Sequence, residues 1–368
     1  MKKMNLRTRC MLFVVGLWTA LMLLAWFSPA EAASEAERRP LAQMPSVSAE
    51  QLLNGSFMEG FEEFSLDQFP FRDGFRKLKA LFHFGVLNQS DNNDIYIADG
   101  YAVKQEYPLN SESVDHALNR FQYLYQKYLA ESGSKVYMAL VPDKGQYLAE
   151  GSGHLTLSFA ELSTMLQEGM PWAEQIDLYE TLTFEDYYRT DTHWRQEKLL
   201  DTARKLCDAL GVPAPNEADY SLKALERPFY GVYYGQAALP MEPETMCLLE
   251  SELLKQCRVY DYETGAYTDV YNMDKLSSRD LYEVFLSGSR SLLTIENPDA
   301  GTEKELVIFR DSFGSAIAPL LVQGYAKVTL VDIRYIQTDV LQRFLEFKGQ
   351  DVLLLYSTSV LNNSQTIK

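Results

Sequence analysis

Apolar positions follow a helical period through residues 48–85, interrupted at Pro70. Phe57, Phe61, Phe64 and Leu66 fall on one face, and Phe75, Leu78, Leu81 and Phe82 on another. This predicts a helical lead-in. Residues 112–131 repeat the period, with Leu118, Phe121, Leu124, Tyr125, Tyr128 and Leu129 on one side of an amphipathic helix. Further helical patterns occupy 195–210 (Leu199, Leu200, Ala203, Leu206, Leu210), 315–323 and 338–347. Four short runs are apolar without alternation: Val136–Val141, Leu306–Phe309, Val328–Ile333 and Asp351–Tyr356. Continuous apolarity suits strands covered on both faces, so the alternation of these runs with helices predicts an α/β domain built on a mostly parallel sheet. Asp94–Tyr101 reads as a short hairpin turning at Asp99-Gly100. The stretch 225–300 is aromatic and turn-rich, including Phe229-Tyr-Gly-Val-Tyr-Tyr-Gly235, and predicts a β-rich insertion that shapes a cleft.

The N-terminus departs from this texture. Lys2, Lys3, Arg7 and Arg9 precede an uncharged stretch, Cys10–Phe27, and Ala30-Glu31-Ala32 offers the small-x-small pattern of a signal-peptidase site. Residues 1–32 read either as a cleaved secretory signal or as an anchor, 18 apolar residues being at the short end of what spans a bilayer. Either way the rest is exported, secreted or held on the outer face of the cytoplasmic membrane by residues 10–27. Residues 33–92 are then linker and helical lead-in, and 93–368 the α/β domain with its insertion at 225–300.

The 368 residues are 46 % hydrophobic and 12 % aromatic, enough to bury a large core. With 34 Lys plus Arg against 51 Asp plus Glu the net charge is −17, and the part after residue 32 carries −20. Without clustered basic residues beyond the N-terminus, such a chain is unsuited to nucleic acid, and the exported part is expected to avoid anionic lipid surfaces. Cys207, Cys247 and Cys257 allow one disulfide at most. A Cys247–Cys257 bond is one reading, and isolated buried thiols the favoured one. His83, His116, His154 and His193 are scattered, with no HExxH or CxxC spacing, so no metal site is expected.

Two segments carry candidate chemistry. Asp191-Thr-His193-Trp194 stands just before a helix, and an acid and an imidazole two residues apart on a constrained loop can approach one point. Arg310-Asp-Ser312-Phe-Gly314 runs from an apolar strand into a helix, exposing Ser312 at the carboxyl edge of the sheet. The helix N-terminus behind it offers N–H groups to a developing oxyanion. Together they allow a triad in which Ser312 attacks an acyl carbonyl, His193 takes its proton and Asp191 holds the imidazole tautomer. Read one at a time, Asp191 and Ser312 are ordinary helix caps.

Asp191-Thr-His193-Trp194, Arg310-Asp-Ser312-Phe-Gly314 and Tyr356-Ser-Thr-Ser-Val-Leu-Asn-Asn363, with Asp67-Gln-Phe-Pro-Phe-Arg72 and Phe229–Gly235, resemble the DHHW protein family of Gram-positive bacteria. That family is similar to the AlgJ/AlgX alginate O-acetyltransferases, whose fold is SGNH-hydrolase-like. The likeness runs from about Asn54 to the C-terminus. Thr192 stands where the family's name motif has its second His, and the usual Gly-Asp-Ser reads Arg310-Asp311-Ser312. In the AlgJ/AlgX group the Asp-x-His pair and a later Ser form the triad, which carries onto Asp191, His193 and Ser312.

The resemblance implies an exported serine-dependent O-acetyltransferase or acetylesterase acting on a cell-envelope or secreted polysaccharide. It also implies a membrane-bound O-acyltransferase as acyl donor, and acyl-serine chemistry requires no cofactor. The alternative is a non-catalytic glycan-binding or scaffold component of such a system. The Ser312 N–H is the first candidate oxyanion donor. Arg334, Tyr335 and Lys144 are candidates for substrate or oxyanion contact, and Tyr230, Tyr233 and Tyr234 for a platform on which sugar rings stack.

Overall fold

The computed structural model describes residues 5–368. They fall into two compact units, one running up to Asn93 and including Tyr234–Pro240, the other comprising Asp94–Tyr233 and Met241–Lys368.

The second unit is built on an eight-stranded sheet. In spatial order its strands are Ala266–Thr268, Arg258–Asp261, Leu292–Glu296, Lys327–Val331, Glu305–Arg310, Asp351–Ser357, Lys135–Val141 and Glu174–Asp177. The last five are parallel and the first three antiparallel. Leu353 and Leu355 face one side, with the helices Leu200–Leu210 and Gly314–Leu321, while Val352, Leu354 and Tyr356 face the other, with Ser111–Leu124 and Phe159–Gly169. Both faces are therefore covered. This α/β arrangement explains the unbroken apolar runs, since every position along a doubly covered strand meets side chains.

From Glu305–Arg310 the chain crosses to the neighbouring strand Lys327–Val331, whereas from Lys135–Val141 it leads the opposite way, to Glu174–Asp177. The connections diverge around Asp351–Ser357, and in open α/β sheets such a reversal opens a crevice beyond the carboxyl ends of the strands. Ser312 follows the strand at that point.

Two stretches differ from the sequence pattern. Part of 225–300 joins the central sheet as its antiparallel extension, and only the hairpin Ser221–Phe229 with Glu244–Glu250 forms a separate sheet. The expected helix over 338–347 is a 3-10 helix, Thr338–Arg343. Its buried residues, Thr338 and Leu341, are three apart, and a 3-10 turn aligns positions i and i+3.

In the first unit the apolar helix Leu6–Phe27 is long enough to cross a membrane, by length and composition. The helices Ser56–Asp67 and Arg72–Gly85 flank the break at Pro70. Arg39 grips Asp67 through two bonds of 2.7 and 2.6 Å and holds its carboxyl down to about 2. Arg72 pairs with Glu37 beside them.

Candidate active site

The loop Tyr187–Trp194 is held at both ends and in its middle. Tyr187 and Trp194 form a β-bridge, and the Tyr188 N–H donates to the His193 carbonyl at 3.0 Å. The buried Glu244 carboxylate accepts the N–H groups of Arg189 and Thr190 at 2.9 and 3.0 Å. Gly231 comes so close that an added Cβ would lie 2.1 Å from the Thr190 carbonyl oxygen. Only glycine fits there, and its N–H donates to Thr190 Oγ1 at 2.9 Å.

Ser312 stands on a turn between the strand Glu305–Arg310 and the helix Gly314–Leu321. Asp311, fully buried, braces that turn. Its Oδ1 accepts the Phe313 N–H at 3.0 Å, and its Oδ2 accepts the Ser357 N–H and hydroxyl at 2.8 and 2.7 Å. A side chain on Gly314 would meet the Arg310 stem at 2.7 Å, which ties the motif's glycine to the tightness of the corner. Trp194 Nε1 donates to the Phe313 carbonyl at 3.2 Å, joining the histidine loop to the serine turn.

The two segments meet. Ser312 Oγ lies 2.7 Å from His193 Nε2, and Asp191 Oδ1 lies 2.6 Å from His193 Nδ1. The same Asp191 oxygen accepts the His193 N–H at 3.0 Å, and its Oδ2 accepts the Val232 N–H at 2.8 Å. The carboxylate is fully buried, so these bonds replace water as its solvent. Tyr282 stacks on the imidazole, with ring centroids 4.0 Å apart and planes 13° from parallel. Ser312 is partly open to solvent, and among the described residues no acceptor takes its backbone N–H. A serine oxygen facing a base, a base oriented by a buried acid, and an uncommitted N–H at the reacting corner make up the parts needed for acyl transfer.

The remaining candidates separate. Arg334 shares the sheet edge, because Phe309 pairs with Val331 and so sets Ser312 and Arg334 three residues beyond a matched pair on adjacent parallel strands. Asp332 fixes the Arg334 guanidinium through bonds of 2.9 and 2.7 Å, and Tyr335 lies beside it, half exposed.

Lys144 takes a different role from the one its sequence position suggested. It is fully buried, and its ammonium donates to the carbonyls of Tyr188 and Asp191 at 2.7 Å each and of Arg189 at 3.3 Å. Burial pulls its pKa down to about 8. Lys144 thus clamps the histidine loop from beneath and is out of reach of substrate. Tyr233 is likewise buried, its ring 5.1 Å from that ammonium, which removes it from a sugar-stacking platform. Tyr230 is exposed and Tyr234 half-buried, the latter in the first unit.

Pattern reading missed Glu244, Tyr282 and the Val232 N–H. All three come from the aromatic, turn-rich stretch, where no periodicity marks an inward side chain. Cys207, Cys247 and Cys257 are free and buried, and burial raises Cys207 to about 12 and Cys257 to about 11, leaving both neutral and unreactive.

A buried acid pair lies off the triad. Glu106 accepts from the Ser359 hydroxyl and is raised to about 7, by burial first and then by the charge of Asp143. A carboxyl with a higher pKa folded than unfolded adds stability below its unfolded pKa, and that contribution is lost as pH rises through about 7. Glu106→Gln is therefore expected to raise the melting temperature by several degrees at pH 8, worth about 1–3 kcal/mol, and to change it little at pH 4.5. Thermal unfolding at the two pH values checks this.

A family model described as DHHW protein matches residues 178–331, which include Asp191, His193 and Ser312. A DHHW family protein from Eubacterium siraeum superposes with a TM-score of 0.63 at 20 % identity, over 75 % of this chain and 95 % of that one. PatB1 of Bacillus cereus, in a structure with a sulfonyl adduct, superposes with a TM-score of 0.58 at 19 % identity, over 73 % and 97 %. The O-acetyltransferase domain of Pseudomonas putida AlgJ gives 0.45 at 13 % identity, over 73 % and 92 %. No curated protein matches the sequence.

Proposed function

We propose that this DHHW-like chain is an exported serine acyltransferase that moves acetyl groups onto, or removes them from, a cell-envelope or secreted polysaccharide. The observation that carries the reading is the 2.7 Å contact between Ser312 Oγ and His193 Nε2, with Asp191 on the opposite ring nitrogen. A scaffold retaining the fold for shape alone has no need of a serine, a base and a buried acid in line.

Ser312 Oγ attacks the acyl carbonyl carbon while His193 Nε2 takes the hydroxyl proton, and the carbonyl oxygen becomes an oxyanion facing the Ser312 N–H. Arg334 supplies a second candidate donor from the same sheet edge. Collapse expels the donor oxygen, which receives the proton from His193, and leaves acetyl on Ser312. A sugar hydroxyl then attacks that ester, His193 removing its proton and returning it to Ser312 Oγ. Water in place of the sugar gives hydrolysis by the same route.

The Leu6–Phe27 helix supports export as a signal and equally fits an anchor on the outer face of the membrane. The acyl donor on that side is a membrane-bound O-acyltransferase that passes acetyl outward.

Incubating the protein with a chromogenic acetyl ester, with and without an oligosaccharide acceptor, tests the reading. Expected are release of the chromophore, acetyl on the Ser312 peptide by mass spectrometry, and faster turnover when the acceptor is present. Absence of both release and adduct overturns the enzymatic reading.

A further inference from the structure

The Arg72–Gly85 helix turns an apolar stripe outward. Phe71 and Leu78 are 71 % and 62 % exposed, and Phe75, Leu81, Phe82 and Val86 are exposed with them. Steps of three and four residues put Phe75, Leu78 and Phe82 in one line along the helix, with exposed Phe71 just before its first turn. The other side faces the chain. Ala80 is fully buried, and Arg76 donates to the Gly235 carbonyl at 2.7 Å and pairs with Glu37 at 3.3 Å. At about 100° per residue, Lys77 and Lys79 flank the stripe on opposite sides. Both are exposed, and among the described residues neither forms an ion pair. The helix carries four basic residues against one acidic within a chain of net −17.

We propose that this stripe lies in the surface of an anionic lipid bilayer, its rings and leucines at the headgroup–acyl boundary and Lys77 and Lys79 reaching up to lipid phosphates. An in-plane helix with an apolar face bordered by lysines has that chemistry, since the aliphatic stems stay in the apolar layer while the ammonium groups reach the phosphates. The net charge of −17 taken alone speaks against an anionic surface, but all of it belongs to the second unit; the first, which carries the stripe, balances ten basic residues against ten acidic, so Lys77 and Lys79 meet lipid phosphates without a net opposing charge on their own unit. The proposal rests on the membrane-anchored form of the function above. The Leu6–Phe27 helix belongs to the same unit and holds the stripe at high effective concentration near the bilayer.

The test uses the full chain in vesicles of phosphatidylcholine and phosphatidylglycerol, with Cys10→Ser to remove the exposed thiol. An environment-sensitive fluorophore is placed at Leu78→Cys or, as a control off the stripe, at Asp73→Cys. Emission at 78 should shift to the blue and be quenched two-fold or more by acyl-brominated lipid, emission at 73 should change little, and Lys77→Glu with Lys79→Glu should reduce the quenching at 78. If the chain floats with the vesicles while the probe at 78 behaves like that at 73, the docking proposal is overturned and anchoring stands. A blue shift at 78 without quenching also overturns it, because protein rather than lipid then covers the stripe. A chain that does not float overturns both readings.

Discussion

Ser312→Ala is expected to lower acetyl release from a chromogenic ester by roughly 10⁴-fold or more, since the members of a triad act as one unit. The fold should hardly notice. Ser312 is partly exposed, and its side chain gives up one hydrogen bond, to His193, worth about 1 kcal/mol. The turn is braced by Asp311 through Phe313 and Ser357, which the substitution does not touch. Turnover and melting temperature should therefore separate, the first collapsing while the second moves by a few degrees at most. The adduct gives an independent check. A sulfonyl fluoride should modify the wild type at Ser312, the oxygen displacing fluoride from sulfur, and should leave the Ser312→Ala variant unmodified. Residual turnover within ten-fold of wild type would show that another group attacks the ester.

Ser312 and the Asp191–His193 pair were legible because both motifs sit where a pattern changes, from apolar strand to turn or from loop to helix. A polar residue at such a corner is either a cap or a reagent, and the sequence brought one of each chemistry to the same class of corner. What the sequence could not supply was depth. Lys144 follows the strand Lys135–Val141 as an active-site cation would, yet three inward carbonyls of a loop more than forty residues later capture it. Tyr233 and Tyr282 look alike in a chain with 23 tyrosines, but one lies over the Lys144 ammonium and the other over the imidazole. The edge strand Glu174–Asp177 left no apolar run, because Ile176 alone among its residues is buried. Strands buried on both faces announce themselves, whereas an edge strand and a loop clamp depend on partners distant in sequence.

Asp191→Asn should cost about as much activity as losing the nucleophile, roughly 10⁴-fold, as in the worked case of the serine protease triad. The reason lies in the donors around the carboxylate. Both oxygens only accept: Oδ1 takes the His193 ring and backbone N–H groups, and Oδ2 takes the Val232 N–H. An amide has one acceptor oxygen. If its nitrogen faces His193, the ring must present a bare Nδ1, so the proton moves to Nε2 and the base facing Ser312 is lost. If its nitrogen faces Val232, two N–H groups oppose each other in a buried site, at a cost of about 1–3 kcal/mol, and the charge that would stabilise the imidazolium is gone in either case. The turnover number should fall with little change in KM, because the acid does not touch the acyl group. Proton NMR supplies a readout separate from activity, since a downfield Nδ1–H resonance, expected of the 2.6 Å contact in the wild type, should vanish in the variant. A variant that keeps its fold, loses that resonance and still turns over within ten-fold of wild type would show that His193 does not depend on Asp191 for its tautomer.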